Sequence, residues 1–364
     1  MSRKINNKTK KKVQRNAKKL FRKRPLVFVI LLMLLIAAAL TFLYFAYEEG
    51  YLDGLFNRED NNTIDTNYGH FEQNEDGYYY YTDIGFSEGE YYHKAKDLVG
   101  EDLIKELNII VNENFNPVSY GDARYVLSYS DRNPEDNFKS VRGIYDNDKI
   151  STTWIGSGHG SWQREHVWPN SKLGIPRVNN NSKNRGSDLH NLRAITGINQ
   201  TRSNRYFAAG SGNATTVGSQ GFYPGDEHKG DVARILFYMI VMYDFLELTD
   251  DISLLENDPD TNYTLDGTYQ GLLSLLINWH KEDPVDEFEI ARNEFIYSGY
   301  AKDPNGKVIT PQGNRNPFID KPELVHLIWE DMSISDLIKP EEVEDTSFKF
   351  NNNQIKLITH FSYF

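Results

Sequence analysis

Residues 163–174 read QREHVWPNSKLG, and within them a carboxylate and an imidazole stand side by side, Glu165 then His166. Histidine is the side chain whose ordinary pKa lies near neutrality, so His166 is fit to take a proton from water. Glu165 offers hard oxygen to a cation. On a strand, neighbours point to opposite faces. At a strand end that rule loosens, and both side chains can converge on one site. Taken alone, a Glu-His pair is more simply a surface feature, and the rest of the chain decides.

A second stretch, NRGSDLHNLRAITGINQTRSNRYF (184–207), supplies partners. SDLHNLRAI has the pattern of a strand, Thr196-Gly197 breaks it, and INQTRSNRYF can start a helix. On that helix Asn199, Arg202 and Ser203 fall at i, i+3 and i+4, one face. A hairpin-like strand pair followed by a helix would bring Glu165 and His166 against Asn199 and Arg202. Glu165 and Asn199 are oxygen ligands that, completed by water and a phosphate oxygen, suit Mg²⁺. Either Arg202 or Arg185 can fork onto a phosphate. Residues 164–205 hold eight Lys/Arg against two acids, a local +6 that suits a polyanion.

Five collinear segments carry a resemblance: REHVWP (164–169), SDLHNLR (187–193), INQTRSN (198–204), KGDVARILFYM (229–239) and GNRNPFIDKPELVHLIW (313–329). In these the sequence resembles the endonuclease I family of the ββα-metal (His-Me finger) nucleases, over roughly residues 78–330. The resemblance implies an α+β fold, with a ββα-metal core embedded in a largely helical domain. It implies cleavage of phosphodiester bonds in DNA, RNA or both, with little sequence preference, using one divalent metal, Mg²⁺ or Mn²⁺. It makes His166 the residue that activates water and Glu165 and Asn199 the metal ligands. Arginine help at the phosphate is also implied, with Arg185 and Arg202 as the candidates. Two features depart from the family: many secreted relatives carry cysteines where this chain has none, and a hairpin-like insertion occupies 298–312.

Other polar residues have plainer expected roles. Asp188 and His190 read as buried residues holding their strand. Arg315, Asn316 and Asp320 read as a turn network, and Asp231 and Arg234, at i and i+3, as a structural pair. Trp162 and Trp168 flank the motif and read as core, with base stacking as the alternative. His159 reads as a loop residue.

Further from the motif, KDPNGKVIT (302–310) predicts a hairpin around Asn305-Gly306. Leu103, Leu107 and Ile110 predict a helix within 101–115. Residues 122–132 and 140–146 suggest a short helix and a strand. GDVARILFYMIVMYDFLEL (230–248) is apolar almost all round and predicts a buried core helix. Two more helices follow, at 272–283 and 284–297, the second opening with Pro284 in its first turn.

The chain has 364 residues, no cysteine and a formal net charge of −12. The absence of cysteine excludes disulfides, thiolate catalysis and Cys-ligated metals. The charge is uneven. Residues 1–24 carry twelve Lys/Arg and no acid, leaving 28 basic residues against all 52 acids, or −24, for the rest. Residues 26–47 hold 22 uncharged positions, about 33 Å as a helix against a hydrocarbon core of about 30 Å. The expected organisation is therefore a basic cytoplasmic segment (1–24), a single-pass transmembrane signal anchor (25–47) and an acidic, polar linker (48–76). A nuclease domain (77–332) facing outward from the cell membrane and a tail (333–364) complete it. A cleaved signal peptide, cut after Ala39, is the competing reading. The expected partners are nucleic acid and the membrane, with no obligate protein partner. A non-catalytic cell-surface module binding nucleic acid on a nuclease-like fold is the alternative function, and hydrolysis of another phosphodiester shares the same chemistry.

Overall fold

The helix expected from Leu103, Leu107 and Ile110 is α1, Gly100–Glu113. Those residues and Val111 are buried, the inward stripe of an amphipathic helix. The computed structural model describes residues 71–152, 162–256 and 269–340. The basic segment, the apolar run at 25–47, most of the linker and His159 lie outside them. Among the described residues no helix is long and apolar enough to cross a membrane.

Helix α2, Tyr120–Ser130, begins where the Ser119 hydroxyl accepts the Asp122 N–H at 3.1 Å. Such a cap satisfies one of the donors that helix geometry orphans. The strand expected at 140–146 is shorter: β1, Val141–Arg142, pairs with β2, Lys149–Ile150, and residues 143–148 turn between them.

Strands β3, Gln163–His166, and β4, Leu192–Ile195, form an antiparallel pair with Arg164 opposite Ala194, Glu165 opposite Arg193 and His166 opposite Leu192. The strand expected from residue 187 is confined to 192–195 because Asp188 turns the chain. Its side chain accepts the His190 N–H at 2.9 Å, and its carbonyl accepts from Asn191 and Leu192. After β4, the helix expected within 198–207 lasts one turn, α3, Asn199–Arg202. Ser203 then enters the left-handed region (φ +46°) and the chain leaves as β5, Tyr206–Phe207. β6, Thr215–Val217, and β7, Gly221–Tyr223, complete a sheet with β7 in the middle.

The core helix is α4, Lys229–Met242, buried along most of its length. A short α5, Ile252–Glu256, follows. α4 packs against α1 and α6, Leu273–Glu282. The next helix starts later than Pro284 suggests: α7, Glu287–Ser298, is capped by Asp286, which exchanges hydrogen bonds with Glu289. The expected hairpin is present as β8, Ala301–Lys302, and β9, Val308–Ile309, with Gly306 at φ +83°. α8, Pro317–Asp320, and α9, Leu324–Trp329, close the domain. Arg315 grips Asp320 at 2.6 and 2.9 Å and Asn316 caps α8, which is the turn network expected there. Packing passes both expected domain edges. Gln73 donates to the Lys281 carbonyl, and the Leu337 carbonyl accepts the Tyr81 N–H.

Behind β4 lies a buried ionic network that the sequence did not announce. Asp131, fully buried, accepts the Ala194 N–H and the Arg292 Nε–H, both at 2.9 Å. The Arg193 guanidinium stands 3.4 Å from Asp131 and donates to Asp231 at 3.0 Å. Arg234 is only loosely paired with Asp231, at 3.9 Å; its main partner is Glu289. Removing one member of a buried ion cluster leaves the others uncompensated, typically at a cost of about 3–5 kcal/mol. Asp131→Ala is accordingly expected to destabilise the domain by about that much in denaturant unfolding. A loss below about 1 kcal/mol contradicts the role given to this network.

Candidate active site

Glu165 and His166 obey the alternation of β3 and leave it on opposite faces. Glu165 is buried and turns toward Tyr145 and Arg202. The Tyr145 hydroxyl donates to Glu165 Oε1 at 3.1 Å, and Arg202 Nε lies 3.4 Å from the same oxygen. Burial pushes the Glu165 carboxyl up to about 7, against the opposing pull of Arg202 and Tyr145. Tyr145 reaches it from a left-handed backbone, φ +77°, a conformation that costs a bulky residue about 1–3 kcal/mol and is tolerated where the surroundings enforce it. Sequence reasoning missed Tyr145, because GIYDND has the pattern of a strand end and the fold makes it a turn.

His166 faces the other way. Its Nε2 donates to the Gly186 carbonyl at 2.7 Å. A carbonyl can only accept, so this bond fixes the proton on Nε2 and leaves Nδ1 as the basic nitrogen. The residue keeps some exposure, yet the protein packed around its ring pushes the pKa down to about 4. The Gly186 bond opposes that shift and the nearby Arg164 charge adds to it. The imidazole is thus a neutral base. Tyr120 stacks on it, ring centres 5.4 Å apart, and the Arg164 guanidinium lies 3.5 Å from the centre of the Tyr120 ring.

Of the two candidate arginines, Arg202 is placed differently from what a phosphate contact asks. Arg202 is fully buried. Its Nε serves Tyr145 and Glu165, its Nη1 the Ser203 and Arg205 carbonyls, and its Nη2 the Val167 carbonyl at 2.9 Å. It stands behind the carboxylate. Arg185 is half-buried and gives Nε and Nη2 to the Leu173 and Gly174 carbonyls, with its guanidinium over the Phe245 ring. It braces the segment whose next residue, Gly186, holds His166. Asn199 is the first residue of α3; its side chain lies outside what the structure describes.

The residues expected to be structural are so placed. The Asp188 carboxylate accepts from the Tyr238 and Tyr243 hydroxyls, both at 2.9 Å, and from Gln312. His190 is buried against Tyr238. Trp162 and Trp168 are fully buried and unavailable for stacking on a base.

Glu165 fits a hard cation as a donor: it is an oxygen ligand with Oε1 engaged and no partner for Oε2 among the described residues. Among those residues no group of three or more His, Asp or Glu side chains is gathered to hold a metal. A cation held here would need ligands of other kinds beside Glu165.

Proteins of similar sequence give the class. Over 246 residues the chain is 36% identical to an extracellular ribonuclease of Bacillus subtilis (strain 168) and 35% identical to one of Bacillus amyloliquefaciens, covering 66% of this chain and 78% of each relative. The chain is a nuclease, a hydrolase of phosphodiester bonds in nucleic acid. A model described as Endonuclease I matches residues 100–323, and the chain belongs to that family. The match contains β3, β4, α3 and every side chain described around Glu165 and His166.

If Arg202 acts on Glu165, the two are energetically coupled. Arg202→Met strands a buried carboxylate and is expected to cost about 3–5 kcal/mol of stability. Adding Glu165→Gln should recover at least about 1 kcal/mol of it in a double-mutant cycle. Additive effects would detach Arg202 from Glu165.

Proposed function

We propose that this chain is a metal-dependent nuclease in which His166 Nδ1 takes the proton from the attacking water and Glu165 and Asn199 hold a divalent cation, Mg²⁺ or Mn²⁺. The observation that carries this reading is the Gly186 carbonyl on His166 Nε2, beside a strand neighbour that is a buried carboxylate. Bound there, the cation supplies Lewis-acid stabilisation of charge developing on the phosphate. The two side chains leave β3 on opposite faces, and the proposal requires one phosphate to reach both. The ββα-metal unit is β3, β4 and α3.

A water nucleophile makes no use of a 2′-hydroxyl, so the chemistry extends to DNA as well as RNA, with little demand on sequence. The relatives named as extracellular ribonucleases favour RNA among the substrates and a catalytic domain outside the cell. We infer that the anchor at 25–47, with its twelve preceding basic residues, keeps the domain at the outer surface of the cytoplasmic membrane. Protease added to intact cells is then expected to digest the domain. Protection until lysis, or a mature chain beginning after Ala39, defeats the anchor.

General-base assistance is worth about 10²–10⁴ in rate. His166→Ala is expected to lose single-turnover cleavage by about that factor while keeping fold and metal affinity. Glu165→Ala should lose metal affinity, with partial recovery at high Mg²⁺. Activity should vanish in excess chelator. A near-normal rate for His166→Ala, or 2′,3′-cyclic phosphate ends on RNA together with no cleavage of DNA, overturns the water-activating role.

A further inference from the structure

A cleft of about 390 Å³ opens beside the candidate site, walled by the start of α2, the 180–183 segment and the β8–β9 hairpin. Arg124, Lys183 and Lys307 line it, against a single carboxylate, Asp122. Lys183 and Lys307 are exposed. The N–H groups that begin α2 are already taken: Tyr120 donates to the Ser182 carbonyl, Gly121 to that of Asn180, and Asp122 and Ala123 to Ser119. A Cβ on Gly121 would meet the Asn180 carbonyl oxygen at 2.7 Å, so glycine is what lets the loop close on the helix. The attraction for an anion is therefore side-chain charge and not the helix end.

Two walls are shared with the catalytic histidine. Ser119 and Gly121 in the lining flank Tyr120, the ring stacked on His166. Lys183 is three residues before Gly186, whose carbonyl holds His166 Nε2. Three residues span at most about 10 Å, while successive phosphates of a strand advance about 3.4 Å along a duplex axis. Asp122 holds Lys307 at 2.8 Å. Burial pushes the Asp122 carboxyl up, but the Lys307 and Ser119 hydrogen bonds and the charges of Lys307 and Lys183 hold it below its ordinary range.

Resting on the nuclease reading, we propose that this cleft is a second phosphate subsite, binding a backbone phosphate of the substrate strand about one to three nucleotides from the bond that is cut. Lys183, Lys307 and Arg124 are its anion-binding side chains. Asp122 is a built-in competitor that occupies Lys307 until a phosphate replaces it. Arg124 and Lys307 lie outside the basic stretch 164–205 and reach this place only through the fold.

The test uses the full chain with short oligonucleotides in which one linkage is a phosphodiester and the others are charged, slowly cut phosphorothioates, one of these replaced in each by a neutral methylphosphonate at a different position. The wild-type chain is expected to show a several-fold rise in KM at a single internal position. That penalty should disappear in Lys183→Ala/Lys307→Ala, whose KM on unmodified oligonucleotide is itself raised. The salt dependence of that variant should be flatter by about 0.7 in log–log slope for each phosphate left without its lysine. Asp122→Asn should lower KM. If Lys307 only pins the hairpin to α2, Asp122→Asn and Lys307→Ala will shift KM in the same direction, and the proposal fails. It also fails if the penalty persists in the double variant, or falls only on a terminal phosphate, which would make the cleft an end-binding pocket. Failure of the wild-type chain to cut any unmodified oligonucleotide defeats the nuclease reading itself.

Discussion

The contact between Arg202 and Glu165 ties the candidate site together. One guanidinium, with no exposure to water, reaches from α3 to β3, pairing with the Glu165 carboxylate and donating to the Val167 carbonyl beyond His166. It thereby fixes the helix that begins at Asn199 against the strand that carries the acid and the base. Its own loop is fixed by the same group, through the Ser203 and Arg205 carbonyls. Such a pair is poor at adding net stability, because two charges leave water to make it. Its effect here is geometric: the cost of misplacing either charge is large, so the two elements have one relative position.

The rest of the domain repeats that logic at greater depth. Asp131, Arg193, Asp231 and Arg292 form a second ionic layer on the far side of β4, and Arg193 is the strand partner of Glu165. Apolar packing around α4 supplies the driving force. The charges decide which way β4 faces. A slip of one residue between β3 and β4 would turn every side chain to the wrong face, and would bring Leu192 opposite Glu165 in place of Arg193. The buried acids on either side make that slip expensive.

Much of this was legible in the sequence, and the parts that were not share a cause. The hairpin at Asn305-Gly306, the apolar helix at 229–242 and the amphipathic helix at 100–113 follow from local rules, and each lies close to where its pattern placed it. The Glu165–His166 pair was legible because two chemically capable residues sat within a motif. The destinations of the arginines were not, since eight basic residues between 164 and 205 look alike in one dimension. Arg202 turned inward, Arg185 took loop carbonyls, Arg193 joined a buried network, and only the fold distinguishes them. Tyr145 and the Gly186 carbonyl escaped for a related reason: one acts from an uncommon backbone conformation and the other through a main-chain atom that every residue carries. The strand patterns at 140–146 and 187–195 run longer than the strands themselves, because a side chain such as Asp188 can satisfy backbone donors as well as a ladder does.

The adjacency of Glu165 and His166 has a consequence for how this protein can change. Where a metal ligand and a base come from different loops, insertions and deletions retune the span between them. With the roles proposed for Glu165 and His166, that span is set by one trans peptide unit, about 3.8 Å between Cα atoms, and by the pleat that sends the two side chains apart. Covalent geometry holds it constant whatever happens elsewhere in the chain. In the proposed site, lengthening the 170–183 or 298–312 segment therefore leaves the backbone spacing between the cation's ligand and the proton acceptor unchanged.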